Sequence, residues 1–191
     1  MSALREMADR QIACSDPHLG RVETALKRLA ARPRWVVSWS GGKDSAVCLD
    51  LALRACGEVI ALMGDDGADP IARRALAGQW AERDGLTILI RPDRSSDAAN
   101  RRATGALLHR LGAPGVILGL RAAESGYRRR IMRALAPDGT YTTSAQWGGL
   151  PALCPLVRWS DDDVYAYIAA HGLAHWSGER GKRSPHARSW L

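Results

Sequence analysis

Phenylalanine is absent from this chain of 191 residues, so its aromatic packing must come from seven tryptophans and four tyrosines. Cysteine is scarce. Cys14, Cys48, Cys56 and Cys154 fit neither a zinc-ligand spacing nor a Cys-x-x-Cys redox pair. No structural zinc or iron–sulfur cluster is expected, and in a cytosolic setting the thiols stay reduced. His171 and His175 stand four apart, but Gly172 between them should end any helix that could present both to a metal. Long apolar runs are missing as well. Nothing approaches the roughly 18 residues that a membrane span needs. The opening MSALREMADRQIACSD carries charges throughout and has no apolar stretch of the secretory kind. The sequence therefore reads as cytoplasmic, without a membrane partner.

What is present suits an ordinary globular chain. Hydrophobic residues make up 46% and charged residues 25%, enough for one well-buried α/β domain and too little for two. The single unit expected over residues 1–191 has a helical extension over about 1–33 and a basic tail over about 177–191. The net charge of +7 attracts polyanions. Nucleic acid is one candidate, reached through the tail; a nucleoside triphosphate with an acidic co-substrate is another.

Along the chain, DPHLGRVETALKRLAAR spaces Leu19, Val22, Leu26 and Leu29 as a helix face, with Asp16 and Pro17 as start signals. RWVVSW reads as the first strand, SAVCLDLALRAC as a helix ending near Gly57, and EVIALM as the second strand. Asp69 and Pro70 open a helix through about Asp84. LTILI is a third strand, SDAANRRATGALLHRL a helix, and GVILGL a fourth strand. The stretch from Asp138 to Trp159 reads as a turn, a short extended piece and a loop. SDDDVYAYIAAHGL is a helix with Ser160 as N-cap, Asp163 at its third position and Gly172 as C-cap. Strands alternating with helices, nearly all apolar, point to a doubly wound α/β fold with a mostly parallel five-stranded sheet and helices on both faces. Ligands of such sheets bind beyond the carboxyl ends of the strands. Ser40, the Asp65–Asp66 pair and Arg121 all lie just past strand ends, so they should share one rim.

Trp35 to Leu53, WVVSWSGGKDSAVCLDLAL, carries the strongest signal. It is not a Walker A loop: the position five before Gly42 is Val37, and Asp44 stands where a magnesium-binding hydroxyl belongs. It still favours an anion. Gly41 and Gly42 allow close backbone approach, the helix beginning near Asp44–Ser45 offers unpaired N–H groups and a positive dipole end, Ser40 and Ser45 add hydroxyls, and Lys43 adds charge.

SGGKDS resembles the signature of the PP-loop ATP pyrophosphatases, the adenine nucleotide alpha hydrolases. GLRAAESGYRR (Gly119–Arg129) and CPLVRWSDDDVYAYIAAHGL resemble segments of the phosphoadenosine phosphosulfate reductase family, with Tyr165 in place of the usual tryptophan. The resemblance runs from about Trp35 to Leu173. It implies a loop that grips the β,γ-pyrophosphate of ATP while attack falls on the α-phosphate. It also implies roles. Lys43, Asp44, Arg121 and Arg128 would be catalytic. Ser38, Ser40, Gly41, Gly42, Lys43, Asp44, Ser45, Met63, Gly119, Arg121, Glu124 and Ser125 would bind nucleotide. Asp44, Asp65 and Asp66 are the candidate ligands of Mg²⁺, which accompanies ATP as the expected cofactor. One departure matters: the reductases carry a late catalytic cysteine, and here none follows Cys154. Thiolate attack on sulfur needs that residue, so reduction of phosphoadenylylsulfate is not expected.

The expected function is cleavage of ATP between the α and β phosphates with adenylation of an acceptor, an anion or another oxygen nucleophile. Two alternatives stay open: a phosphoadenylylsulfate- or adenylylsulfate-binding protein or sulfate adenylyltransferase-like subunit, and a non-catalytic nucleotide-binding module of a nucleic-acid-modifying complex. Homodimer or partner subunit is likewise left open. Cys154, between prolines, is the one thiol with a conceivable chemical role.

Overall fold

The computed structural model describes residues 17–30, 34–65, 70–92, 97–133, 140–142 and 147–176. Cys14, Asp16, Asp66, Asp69 and the basic tail lie outside them. The elements are α1 (Pro17–Ala30), β1 (Val36–Ser38), α2 (Lys43–Cys56), β2 (Val59–Asp65), α3 (Pro70–Ala81), β3 (Leu86–Pro92), α4 (Asp97–Arg110), β4 (Val116–Leu118), a 3₁₀ turn (Ala122–Glu124), α5 (Gly126–Arg133), β5 (Thr140–Thr142), β6 (Pro151–Leu153) and α6 (Asp161–His171).

The strands form one sheet in the order β3-β2-β1-β4-β6-β5. Five pair in parallel, and β5 adds an antiparallel edge on β6. The parallel five-stranded sheet read from the sequence is therefore extended by one strand. Its fifth parallel member, β6, comes from the piece LPALC, too short for a period-2 pattern to mark it.

Alternation along the strands divides the core in two. Val37, Ala61 and Ile117 face one side, where Leu29 of α1, Leu49 of α2, Trp80 of α3 and Tyr167 of α6 cover them. Val36, Leu62 and Val116 face the other, with Leu108 of α4, Met132 of α5 and Trp147. The chain runs β1-α2-β2-α3-β3 in one direction with both helices on the first face. It then returns through α4 on the second, as right-handed crossovers demand. The reversal falls between β1 and β4. The proposed N-terminal extension is no appendage: Val22, Ala25 and Leu29 of α1 belong to the first core. The large aromatics fill the volume that phenylalanine would. Trp39 and Trp80 meet edge to face with centroids 5.7 Å apart, and Trp159 meets Tyr167 at 5.8 Å. Trp159 packs near the last helix, whereas Trp147 lies on the opposite face.

α2 begins at Lys43, one to two residues before the expected start, and ends at Gly57 with φ +75°. The caps of α6 are as expected. Ser160 Oγ accepts from the Asp163 amide, the Asp163 carboxylate accepts from the Ser160 amide at 2.7 Å, and Gly172 closes the helix in the left-handed region.

Candidate active site

In the register of the sheet, Ser38 of β1 stands level with Leu118 of β4, and Ile117 of β4 with Leu153 of β6. Three neighbouring parallel strands thus send their exits toward the same rim, at the point where the winding reverses. β1 leads to the glycine loop and Lys43–Asp44. β4 leads to Arg121. β6 leads through a turn to Trp159 and Asp161.

The loop is held by its own serines. Ser40 Oγ and Ser45 Oγ lie 3.2 Å apart, the Ser40 amide donates to Ser45 Oγ at 3.3 Å, and Ser45 Oγ donates to the Gly42 carbonyl at 2.9 Å. Ser45 is buried, so its hydroxyl shapes the loop from beneath. Gly41 has φ +80°, a conformation that favours glycine, and a Cβ there would sit 3.0 Å from Leu76 Cδ2, a tight contact that Leu76 would have to relieve. Gly42 differs. Its φ of −74° suits any residue, and an added Cβ would meet only Ser40 Oγ at 3.5 Å. Glycine at Gly42 answers no demand of the fold. As N-cap of α2 it makes no side-chain capping bond, so the first-turn amides are left for another acceptor.

Lys43 Nζ reaches Asp44 Oδ1 at 3.1 Å and Asp161 Oδ1 at 2.9 Å, and lies 5.5 Å from the centre of the Tyr165 ring. Arg121 is the most buried charge. Its Nε donates to Asp44 Oδ1 at 2.6 Å, Nη1 to the Trp159 carbonyl at 3.3 Å and Nη2 to Asp161 Oδ1 at 2.7 Å. Glu124 accepts from the Arg121 amide at 3.0 Å and pairs with Arg128, while the Arg128 amide donates to Ser125 Oγ at 3.1 Å. These groups line a cavity of about 320 Å³ bounded by Lys43, Arg121, Ala123, Glu124, Ser125, Arg128 and Asp161. Lys43 and Arg121 together hold the Asp161 carboxyl below the ordinary aspartate range, the Lys43 hydrogen bond being the larger cause.

The structure thus brings Lys43, Asp44, Arg121, Glu124, Ser125 and Arg128 together, with Ser40, Gly41, Gly42 and Ser45 beside them. Gly119 has another duty. A Cβ on it would lie 2.8 Å from both the Asp44 carbonyl carbon and the Ser45 nitrogen, so its bare backbone lets the β4 exit press on the first turn of α2. Met63 is buried at the end of β2 beneath Gly41, and Ser38 is half-buried at the end of β1. Asp65 closes β2, with its side chain outside the described set. Asp44 fits magnesium poorly, since its oxygens face Arg121 and Lys43, and among the described residues no cluster of three potential metal ligands occurs.

Sequence reasoning missed Asp161. The signal available was a run of three acids, Asp161–Asp163, of which the cap uses only one. It also missed Trp176, whose amide donates to the Gly41 carbonyl at 2.7 Å and whose ring lies against Arg73. Cys154 is fully buried, and burial pushes its thiol up to about 12. Burial raises the Cys48 thiol as well. His171 bonds Arg54 and His175 bonds the Leu173 carbonyl.

Residues 34–176, three-quarters of the chain, match the family described as the phosphoadenosine phosphosulfate reductase domain. The chain belongs to this family, within the PP-loop adenine nucleotide alpha hydrolases. Among curated proteins none matches it in sequence. Solved structures of Candida glabrata FMN adenylyltransferase share its fold. A point mutant of that enzyme superposes with a TM-score of 0.60 at 18% identity, covering 81% of this chain and 57% of that one. The complex with FMN and the ATP analogue AMPCPP gives 0.59 at 17% identity, with 81% and 57% covered. The complex with FAD and inorganic pyrophosphate gives 0.57 at 16%, with 81% and 58% covered. The chain therefore spans well under two-thirds of these structures. Among its described residues, no helix is long and apolar enough to cross a membrane.

Proposed function

We propose that this PP-loop protein is an enzyme that binds ATP, cleaves it between the α and β phosphates, and passes the adenylyl group to an oxygen acceptor, releasing pyrophosphate. The observation that carries this reading is Gly42: a glycine that the fold does not require, at the start of a helix without a side-chain cap, beside Lys43 and Arg121. Such a position admits an anion to the backbone itself.

The chemistry follows from the groups present. The acceptor oxygen forms a bond to the α-phosphorus as the bond to the bridging α,β oxygen breaks, and the electron pair leaves with pyrophosphate. Charge then grows on the leaving group, where Lys43 and the first-turn amides stand. Removing one preorganised donor of this kind typically costs about 3–4 kcal/mol at the transition state. Arg121, fixed by Asp44 and the Trp159 carbonyl, would present Nη2 beside Lys43 to the leaving pyrophosphate, and Arg128, which lines the same cavity, is left for the acceptor. ATP brings Mg²⁺ as its usual companion, which would neutralise phosphate charge. Asp44, as placed, is a counter-ion of Arg121 and Lys43. The solved adenylyltransferase structures, which include complexes with an ATP analogue and with inorganic pyrophosphate, support the reading by fold.

Lys43→Ala is expected to abolish ATP-dependent pyrophosphate release while circular dichroism and melting remain those of a folded chain. Release of orthophosphate by the unaltered protein would sink the reading.

A further inference from the structure

Six ionised side chains meet at the cavity: Lys43, Arg121 and Arg128 against Asp44, Glu124 and Asp161. The six charges sum to zero, and the carboxylates occupy the donors of Lys43, Arg121 and Arg128 that a polyanion would use. Binding one requires a carboxylate to leave. Burial decides which. The Asp44 side chain is 10% exposed and wedged between Arg121 and Lys43. Glu124 is 15% exposed and fixed by both the Arg121 amide and Arg128. Asp161 is 63% exposed and held at its carboxylate by Lys43 and Arg121.

Its position is telling. One oxygen, Oδ1, accepts from both Lys43 Nζ and Arg121 Nη2. Nε and Nη1 of Arg121 are committed inward, so Nη2 is the nitrogen left for a ligand, and Asp161 sits on it. We infer that Asp161 is an internal stand-in for phosphate, occupying the Lys43–Arg121 anion site in the empty protein and yielding it to the pyrophosphate portion of the incoming ligand. The inference rests on the ATP reading of the same site.

The device sets selectivity. Exposed ion pairs are individually weak, so a pyrophosphate group, which places several oxygens on the same cations, displaces the carboxylate. A monoanion trades one single-oxygen contact for another and gains little. Displacement turns the balanced cluster net positive just as the ligand arrives. It also frees the first turn of α6, where Tyr165, one turn from Asp161, shares the contact with Lys43.

Inorganic pyrophosphate, titrated calorimetrically into the full chain with EDTA present, is the probe. Asp161→Asn is expected to bind it about tenfold more tightly than the unaltered chain, the scale of freeing a mostly occupied site. Asp162→Asn removes the same charge from a residue that makes no ion pair among the described residues, and should change affinity by less than about twofold. Equal or weaker binding by Asp161→Asn overturns the inference. So does an equal gain in both variants, which marks a diffuse charge effect, and so does the absence of binding by either. ATP-dependent pyrophosphate release tests the enzymatic reading separately. Release without a gain in Asp161→Asn removes the stand-in and leaves the proposed function; a gain without release does the reverse.

Discussion

Arg121 Nε donates to Asp44 Oδ1 across 2.6 Å, from a guanidinium only 1% exposed. The pair joins the exit of β4 to the first turn of α2, so it belongs to the fold as much as to the site. Burying a guanidinium is tolerable only with its counter-charge in place, and removing one partner of a buried pair costs about 3–5 kcal/mol. Asp44→Asn is expected to lower stability toward the lower end of that range, because Asp161 still offsets part of the charge. Urea unfolding measures it. A loss under about 1 kcal/mol would show the pair to be solvated.

The two loop glycines should separate fold from function. Gly41→Ala forces an L side chain into φ +80° against Leu76 and is expected to cost about 1–3 kcal/mol. Gly42→Ala meets no such obstacle and should leave the unfolding midpoint nearly unchanged, yet weaken nucleotide binding by about tenfold or more as its methyl blocks backbone approach. Calorimetric titration alongside thermal melts distinguishes them.

Asp161 should titrate low. Its folded pKa is depressed below the ordinary 3.8, first by the Lys43 hydrogen bond and then by Arg121. A carboxyl so shifted adds stability above its unfolded value and loses it as pH falls through the folded one. The ion pairs are therefore intact at neutral pH and dissolve only below 3.8. Carboxyl NMR titration checks the value, and Lys43→Met should move it back toward the ordinary range.

Tyr167 carries a second network, away from the cavity. Its hydroxyl donates to Asp50 Oδ2 at 2.7 Å and accepts from Arg54 at 2.8 Å, while Arg83 holds the other Asp50 oxygen at 2.5 Å. Tyr167→Phe leaves a buried carboxylate short of one donor and should cost about 1–3 kcal/mol, with pyrophosphate release unchanged. Denaturant curves and the release assay report the two halves.

Cys154 and Cys48 should resist iodoacetamide in the native protein at neutral pH and react once it unfolds, because burial keeps both thiols protonated. Mass spectrometry of labelled peptides gives the comparison. Rapid native labelling of Cys154 would reopen a chemical role for this thiol.

Much of this was legible in the residues. SGGKDS marked the turn between β1 and α2, and the capping pattern of Ser160, Asp163 and Gly172 located α6. β6 was not legible, since three residues are too few to show a periodicity. Asp161 escaped for a different reason. Its importance comes from the register of β1, β4 and β6, which sets three distant segments on one rim, and linear spacing does not encode that meeting. Ser45 and Gly119 were read as ligand contacts because motif membership does not say which way a group points. Ser45 is buried and bonds the Gly42 carbonyl, and Gly119 packs closely on the first turn of α2, so both also shape the loop and the strand–helix contact.

The hydrogen bond from the Trp176 amide to the Gly41 carbonyl has a consequence for the order in which the site is made. The glycine turn is encoded early, but one of its fastenings is translated 135 residues later. A nascent chain paused before α6 has emerged carries the complete loop sequence without that clasp, and without Asp161 to quiet its cations. The glycine loop is written well before the residue that fastens it.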